Sequence, residues 1–220
     1  MSIQHVLRHL LRPFVALMLV TSACATEQDA NCALPYIGEH DVVNGDTTYY
    51  QVGDWQFYRQ DSALVSAASL AGKPQLVDFF FTSCPTICPQ VTRNMLRAYE
   101  RFKDTDLQLL SFTVDPKRDS VGHLARYSEN LEVKGTEDWW FLTGDKFELY
   151  ATANQYLSVA VEDADAPGGV THSGRIMFVD EQGHVRSYAD GTDDEDVARL
   201  LDEVACHMGQ TTARSQDLKR

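Results

Sequence analysis

The sequence predicts an α/β sandwich: a mainly parallel central sheet, helices on both of its faces, and a β-hairpin near the carboxyl end. Three observations lead there. Short apolar runs at 76–81, 107–114 and 139–142 have the pattern of strands buried on both faces. Segments of helical period separate and follow them. Near the end, two strand-like runs flank the turn Glu181-Gln182-Gly183.

In chain order, residues 76–81 supply the first strand. Pro89 then suits an early helical position, where its missing N–H costs nothing, and Val91, Met95, Tyr99 and Phe102 recur on one helical face. The second strand, 107–114, stops at Asp115-Pro116, and 120–130 reads as helix. After the strand at 139–142, a helix at 146–157 opens on Asp145 with Glu148 three residues on. Residues 175–180 and 184–188 form the hairpin. A last helix opens with a capping box of Thr192 and Glu195 and buries Val197, Leu200, Leu201 and Val204 on one stripe. The order β-α-β-α-β-α-β-β-α fits a thioredoxin-like three-layer sandwich. No internal repeat or low-complexity tract is visible. The domain is expected over 54–208, with a flexible extension at 26–53 and a flexible polar tail at 209–220.

Residues 1–25 read as an export signal or a lipoprotein signal, with Arg8 and Arg12 ahead of an apolar run at 13–20 that is too short for a membrane span. Ala23-Cys24-Ala25 fits cleavage after Ala25. Thr21-Ser22-Ala23-Cys24 resembles a degenerate lipobox, with Thr21 where Leu is usual, and would make Cys24 a lipid anchor; this second form is the preferred one. At 44% apolar content the remainder can bury one core. The formal charge of −13 disfavours nucleic acid and anionic lipid as partners, and it suits either a basic docking partner or plain solvation. Export implies an oxidising compartment such as the periplasm, where spare cysteines pair. Cys32 and Cys206 are then expected to form a disulfide joining the ends of the mature domain.

Cys84 and Cys88 stand four residues apart at the end of a strand and the start of a helix. The helix dipole there is expected to lower the Cys88 pKa and keep a thiolate available. With the distant His172, the two cysteines can grip a soft metal. Cu(I) prefers thiolate, the same set accepts Cu(II) or zinc, and no fourth ligand for structural zinc is evident. Alternatively, Cys84 and Cys88 are a redox pair. His123 and His184 read as surface residues, and His207, beside Cys206 and Met208, reads as a frayed helix end rather than a second soft-metal site. Asp115 either buttresses the cysteines from a neighbouring strand end or only turns the chain before Pro116.

From about Asp54 to His207 the chain resembles the Sco/SenC family of thioredoxin-fold, copper-binding assembly factors for cytochrome c oxidase. The resemblance rests on Phe81-Thr82-Ser83-Cys84-Pro85-Thr86-Ile87-Cys88-Pro89, on Ser111-Phe112-Thr113-Val114-Asp115-Pro116, and on His172-Ser173. It implies a copper metallochaperone with Cys84, Cys88 and His172 as ligands. The implied partners are the copper-site subunit of the oxidase and, further, other copper chaperones or thioredoxin-like reductases. Thr86 departs from the acidic residue that many members carry between the cysteines. The enzymatic rival is a thiol-disulfide oxidoreductase that keeps the cysteines of the oxidase or of other exported proteins reduced. General reductases of this fold show C-x-x-C and a proline directly before the facing strand. Here the spacing is longer, Thr171-His172-Ser173-Gly174 precedes Arg175, and Pro167 is too distant. A peroxidase is a third reading.

Overall fold

The computed structural model describes residues 32–217, apart from 134, 136, 164, 167 and 168. The export signal, the Cys24 anchor and Pro167 lie outside the described residues. A hairpin of β1 (His40–Val43) and β2 (Asp46–Tyr49) comes first. It is followed by β3 (Gln56–Arg59), β4 (Leu64–Ser66), a 3-10 turn at Ala67–Leu70, β5 (Gln75–Phe80) and α1 (Cys88–Phe102). Next are β6 (Gln108–Thr113), α2 (Val121–Asn130), β7 (Trp139–Thr143), α3 (Lys146–Gln155), β8 (Ala160–Glu162), β9 (Val170–His172), β10 (Arg175–Val179), β11 (Val185–Asp190) and α4 (Asp194–Asp217).

The main sheet runs β11-β10-β5-β6-β7-β3-β4. Crossovers through α1 and α2 make β5, β6 and β7 parallel, while the pairings β10–β11, β5–β10, β3–β7 and β3–β4 are antiparallel. The expectation of a mainly parallel sheet is therefore corrected to a mixed one: the parallel strands are its centre and hairpins supply both edges. β3 and β4 escaped the sequence reading because they are three or four residues long and only partly apolar.

The apolar runs behave as read. Leu76, Val77, Phe79 and Phe80 of β5 are at most 2% exposed, and every residue of β6 and β7 is buried. α1 lays Val91, Met95, Ala98, Tyr99 and Phe102 on the sheet. Asp145 caps α3 by accepting from the N–H groups of Phe147 and Glu148. At α4 the cap shifts by one residue. Asp193 Oδ1 accepts from the N–H groups of Glu195 and Asp196, while the Thr192 hydroxyl donates to Asp190 at 2.7 Å, so the expected Thr192–Glu195 box does not form. A carboxylate one residue nearer the helix displaces the hydroxyl as acceptor.

Both ends of the domain are more structured than expected. α4 continues to Asp217, through the stretch read as a tail. In the extension, the Ile37 N–H donates to the Val185 carbonyl at 2.9 Å and the Arg186 guanidinium donates to the Pro35 carbonyl at 2.9 Å. Cys32 and Cys206 form the expected disulfide, with Cα atoms 5.5 Å apart across a separation of 174 residues. Closing so long a loop restricts the unfolded chain. Replacing both cysteines by serine should lower unfolding free energy by about 2–5 kcal/mol in urea titration, and an unchanged midpoint would show that the bridge contributes nothing.

Asp78 breaks the apolar run of β5. It is 2% exposed, accepts a hydrogen bond from Ser111 Oγ, and burial pushes its carboxyl up to about 7. The folded state thus holds this proton more tightly than the unfolded chain, whose carboxyl titrates near 3.9. Its contribution to stability is complete below about pH 4 and is lost as pH rises through about 7. Asp78→Asn should flatten the stability profile between those limits, and parallel wild-type and variant profiles would sink the assignment.

Candidate metal centre

The cysteine segment leaves the sheet where β5 ends. The Cys84 N–H donates to the Phe81 carbonyl at 3.2 Å, turning the loop back over the strand ends, and α1 starts at Cys88 with Pro89 next. His172 reaches the same place on β9, which pairs with β8 in a small separate sheet that sets His172 opposite Ala160. Beyond it the Ser173 N–H donates to the Val159 carbonyl at 3.0 Å, and the Ser158 and Ser173 hydroxyls lie 2.7 Å apart. The Gly191 N–H donates to the Gly174 carbonyl at 2.8 Å. A Cβ on Gly191 would stand 2.5 Å from that carbonyl oxygen, so glycine is needed for the histidine loop to dock.

Each of the three residues singled out in the sequence offers one donor atom here, and the donors lie within 4.8 Å of one another. Cys88 Sγ and His172 Nε2 are 3.5 Å apart. His172 Nδ1 faces the Ser173 carbonyl at 3.3 Å, and because a carbonyl only accepts, Nδ1 carries the proton and Nε2 presents its lone pair toward the sulfur. The ring stands edge-on to Phe81 with centroids 5.6 Å apart. Cys84 and Cys88 are buried and His172 is half-buried.

Charge is divided unevenly between the thiols. Burial works to raise the Cys84 pKa, but hydrogen bonds from the Cys88 thiol, from the N–H groups of Thr86 and Cys88, and from the Thr86 hydroxyl outweigh it, and the net shift is downward. Cys88 moves up, first through burial and then because it donates to Cys84 and sits beside that charge. The expectation that the helix start would lower Cys88 is corrected: Cys88 lies inside that start, and its own N–H, with the N–H of Thr86 in the preceding loop, donates to Cys84 instead. Burial lowers His172, which favours the neutral imidazole that a metal needs.

The other candidates fall elsewhere. The Asp115 carboxylate pairs with Arg118, and its carbonyl accepts from the N–H groups of Arg118 and Asp119, contacts that build the turn. His184, read as a surface residue, is half-buried, with Nδ1 2.8 Å from the Tyr50 carbonyl. His207 meets Glu181 at 3.1 Å, and Cys206 is held in the disulfide, so those residues build no second soft-metal site. His123, read as a surface residue, is instead half-buried, with Nε2 3.0 Å from the Thr82 hydroxyl. The sequence reading missed Asp119, which is fully buried beside Thr82. Its signal was its place after a buried parallel strand, where functional residues collect.

Residues 44–208 match the family model SCO1/SenC, a span that starts ten residues before the expected boundary at 54. The chain is 30% identical over 162 residues to the SCO1 protein homolog of Bacillus subtilis (strain 168), covering 72% of this chain and 83% of that protein. A structure of BsSco, described as a member of the Sco family of cytochrome c oxidase assembly proteins with a disulfide switch, superposes with TM-score 0.61 at 27% identity and covers 72% of this chain and 94% of its own. Arabidopsis thaliana ScoI, crystallised with copper bound, gives TM-score 0.60 at 25% identity over 72% of this chain and 98% of its own. The sandwich, the cysteine pair at the mouth of its central strand and a match running from the β1–β2 turn into α4 make this chain a member of the SCO1/SenC family.

Proposed function

We propose that this protein is an exported copper metallochaperone that holds one copper ion between Cys84 Sγ, Cys88 Sγ and His172 Nε2 and passes it to the copper-site subunit of a respiratory cytochrome c oxidase. The observation carrying this reading is the convergence of two soft sulfur donors and one imidazole, from two segments far apart in the chain, within 4.8 Å. Such a set suits Cu(I) and also accommodates Cu(II). The copper-bound relative and the relative named for oxidase assembly support the cargo and the destination.

The protein's own part is to present these donors and let them go. Cys84 offers a thiolate held by hydrogen bonds, His172 a neutral nitrogen, and Cys88 a thiol that surrenders its proton when metal binds. A surface cleft lined by Phe81, Cys84, Ile87, Val170 and His172 opens two of the three donors, Cys84 and His172, to incoming ligands. Delivery in the periplasm, with the lipoprotein signal cleaved ahead of Cys24 and Cys24 as lipid anchor, completes the reading. Among the described residues no helix is long and apolar enough to cross a membrane.

The unequal thiols favour a second reading, a thiol-disulfide oxidoreductase. Cys84 thiolate would attack a partner disulfide, forming a mixed disulfide and releasing one partner thiol. Cys88, losing its proton, would then attack Cys84 Sγ and release the second, leaving the partner reduced and the pair oxidised.

Anaerobic Cu(I) titration against a competing chelator separates the two. The reduced protein should bind one copper tightly, Cys84→Ser, Cys88→Ser and His172→Ala should each weaken binding at least tenfold, and affinity should tighten with rising pH as Cys88 gives up its proton more easily. Weak binding indifferent to His172→Ala would overturn the chaperone and put the reductase first.

A further inference from the structure

Behind the three donors lies a set of hydrogen bonds that the copper reading does not use. Asp119, fully buried in the loop between β6 and α2, accepts from the Thr82 N–H at 3.1 Å and from the Thr82 hydroxyl at 2.5 Å. It also accepts from the Thr113 hydroxyl at 2.6 Å. Because the Thr82 hydroxyl gives its proton to Asp119, the contact from His123 Nε2 at 3.0 Å must be an N–H donated to Thr82. One turn along α2 from His123, the Tyr127 hydroxyl meets the Thr92 hydroxyl at 3.1 Å. His123 and Tyr127 share one face of α2 at i, i+4 spacing. Thr82 precedes Cys84 by two residues and Thr92 follows Cys88 by one helical turn, so one helix face holds the cysteine segment at both ends.

We infer that α2 is a brace for the metal loop: His123 and Asp119 act through Thr82, and Tyr127 acts through Thr92, to fix where Cys84 and Cys88 stand relative to His172. These are positioning residues, and the inference rests on the reading of that trio as copper ligands. Two physical arguments support it. A fully buried carboxylate is costly unless its oxygens are satisfied, and two of the three donors to Asp119 belong to Thr82, so moving the loop would strand the charge. The parallel pairing of β5 with β6 sets Phe80 against Thr113, and the Val114 N–H donates to the Phe80 carbonyl at 2.8 Å, which brings the two following loops side by side. Outer hydrogen bonds of this kind typically change metal affinity 10- to 100-fold.

The test compares Thr82→Val, which removes only the hydroxyl from the same shape, with Thr82→Ser, which restores it, and with Tyr127→Phe. Thr82→Val should weaken Cu(I) binding about 10- to 100-fold and alter the thiolate-to-copper absorption of the Cu(II) form. Thr82→Ser should stay near wild type, and Tyr127→Phe should fall between. Without metal, Cys84 in Thr82→Val should react faster with iodoacetamide than in wild type or Thr82→Ser, while thermal unfolding shows all variants folded at the assay temperature. Wild-type affinity, absorption and alkylation rate in Thr82→Val would overturn the brace. If wild type itself binds no copper, the copper reading fails separately, and the alkylation rates alone decide: equal rates refute the brace, and an increase that serine reverses upholds it.

Discussion

Burial of β5 between β10 and β6 is the constraint on which the rest of the molecule depends. Its side chains fill both faces of the sheet, so a slip of one residue would exchange the two layers and carry Asp78 to the wrong side. With the register fixed, Phe80 ends level with Thr113, and the segments that follow emerge at the same edge. The cysteine loop and the Asp119 loop are neighbours because two parallel strands end together. On the other flank β10 pairs antiparallel with β5, and the residues just before it, including His172, therefore arrive at that same edge.

The electrostatics of the centre follow from this crowding. Two buried thiols beside one helix start cannot both ionise cheaply, and the N–H groups of Thr86 and Cys88 both donate to Cys84. The negative charge settles there, and Cys88 keeps its proton and donates it as a hydrogen bond. A soft cation would replace that proton as the positive partner of both sulfurs, and the Cys84 thiolate is equally the form that thiol exchange needs. Asp78, buried beneath, adds a smaller push in the same direction on Cys88.

Segments long enough to show their period were readable. Strands β5, β6 and β7, helices α1, α2 and α3, and the β10–β11 hairpin all lie within two residues of where apolar spacing put them. The misses share physical causes. β3, β4, β8 and β9 are three or four residues long, too short for alternation to stand out, and β3 joins the main sheet only through a distant partner, β7. The α4 cap went to Asp193 because several acceptors, Asp190, Thr192 and Asp193, compete there and only the path of the chain chooses among them. The sheet proved mixed because β-α-β order dictates parallel pairing only within crossovers and says nothing about which edge a later hairpin takes.

By itself the sequence determined the strand-to-helix step that carries both cysteines, the apolar faces that bury it, and a donor set soft enough to suit a metal such as Cu(I). These are local properties of residue type and spacing. Tertiary structure alone decided which cysteine bears the charge, that Asp119 reaches back to Thr82, and that His123 leaves the surface to join it; it also brought together Cys32 and Cys206, which the sequence had paired. The disulfide and the Thr82–Asp119 and Thr82–His123 contacts join segments far apart in the chain. Their free energies are set by positions in space that no local pattern encodes.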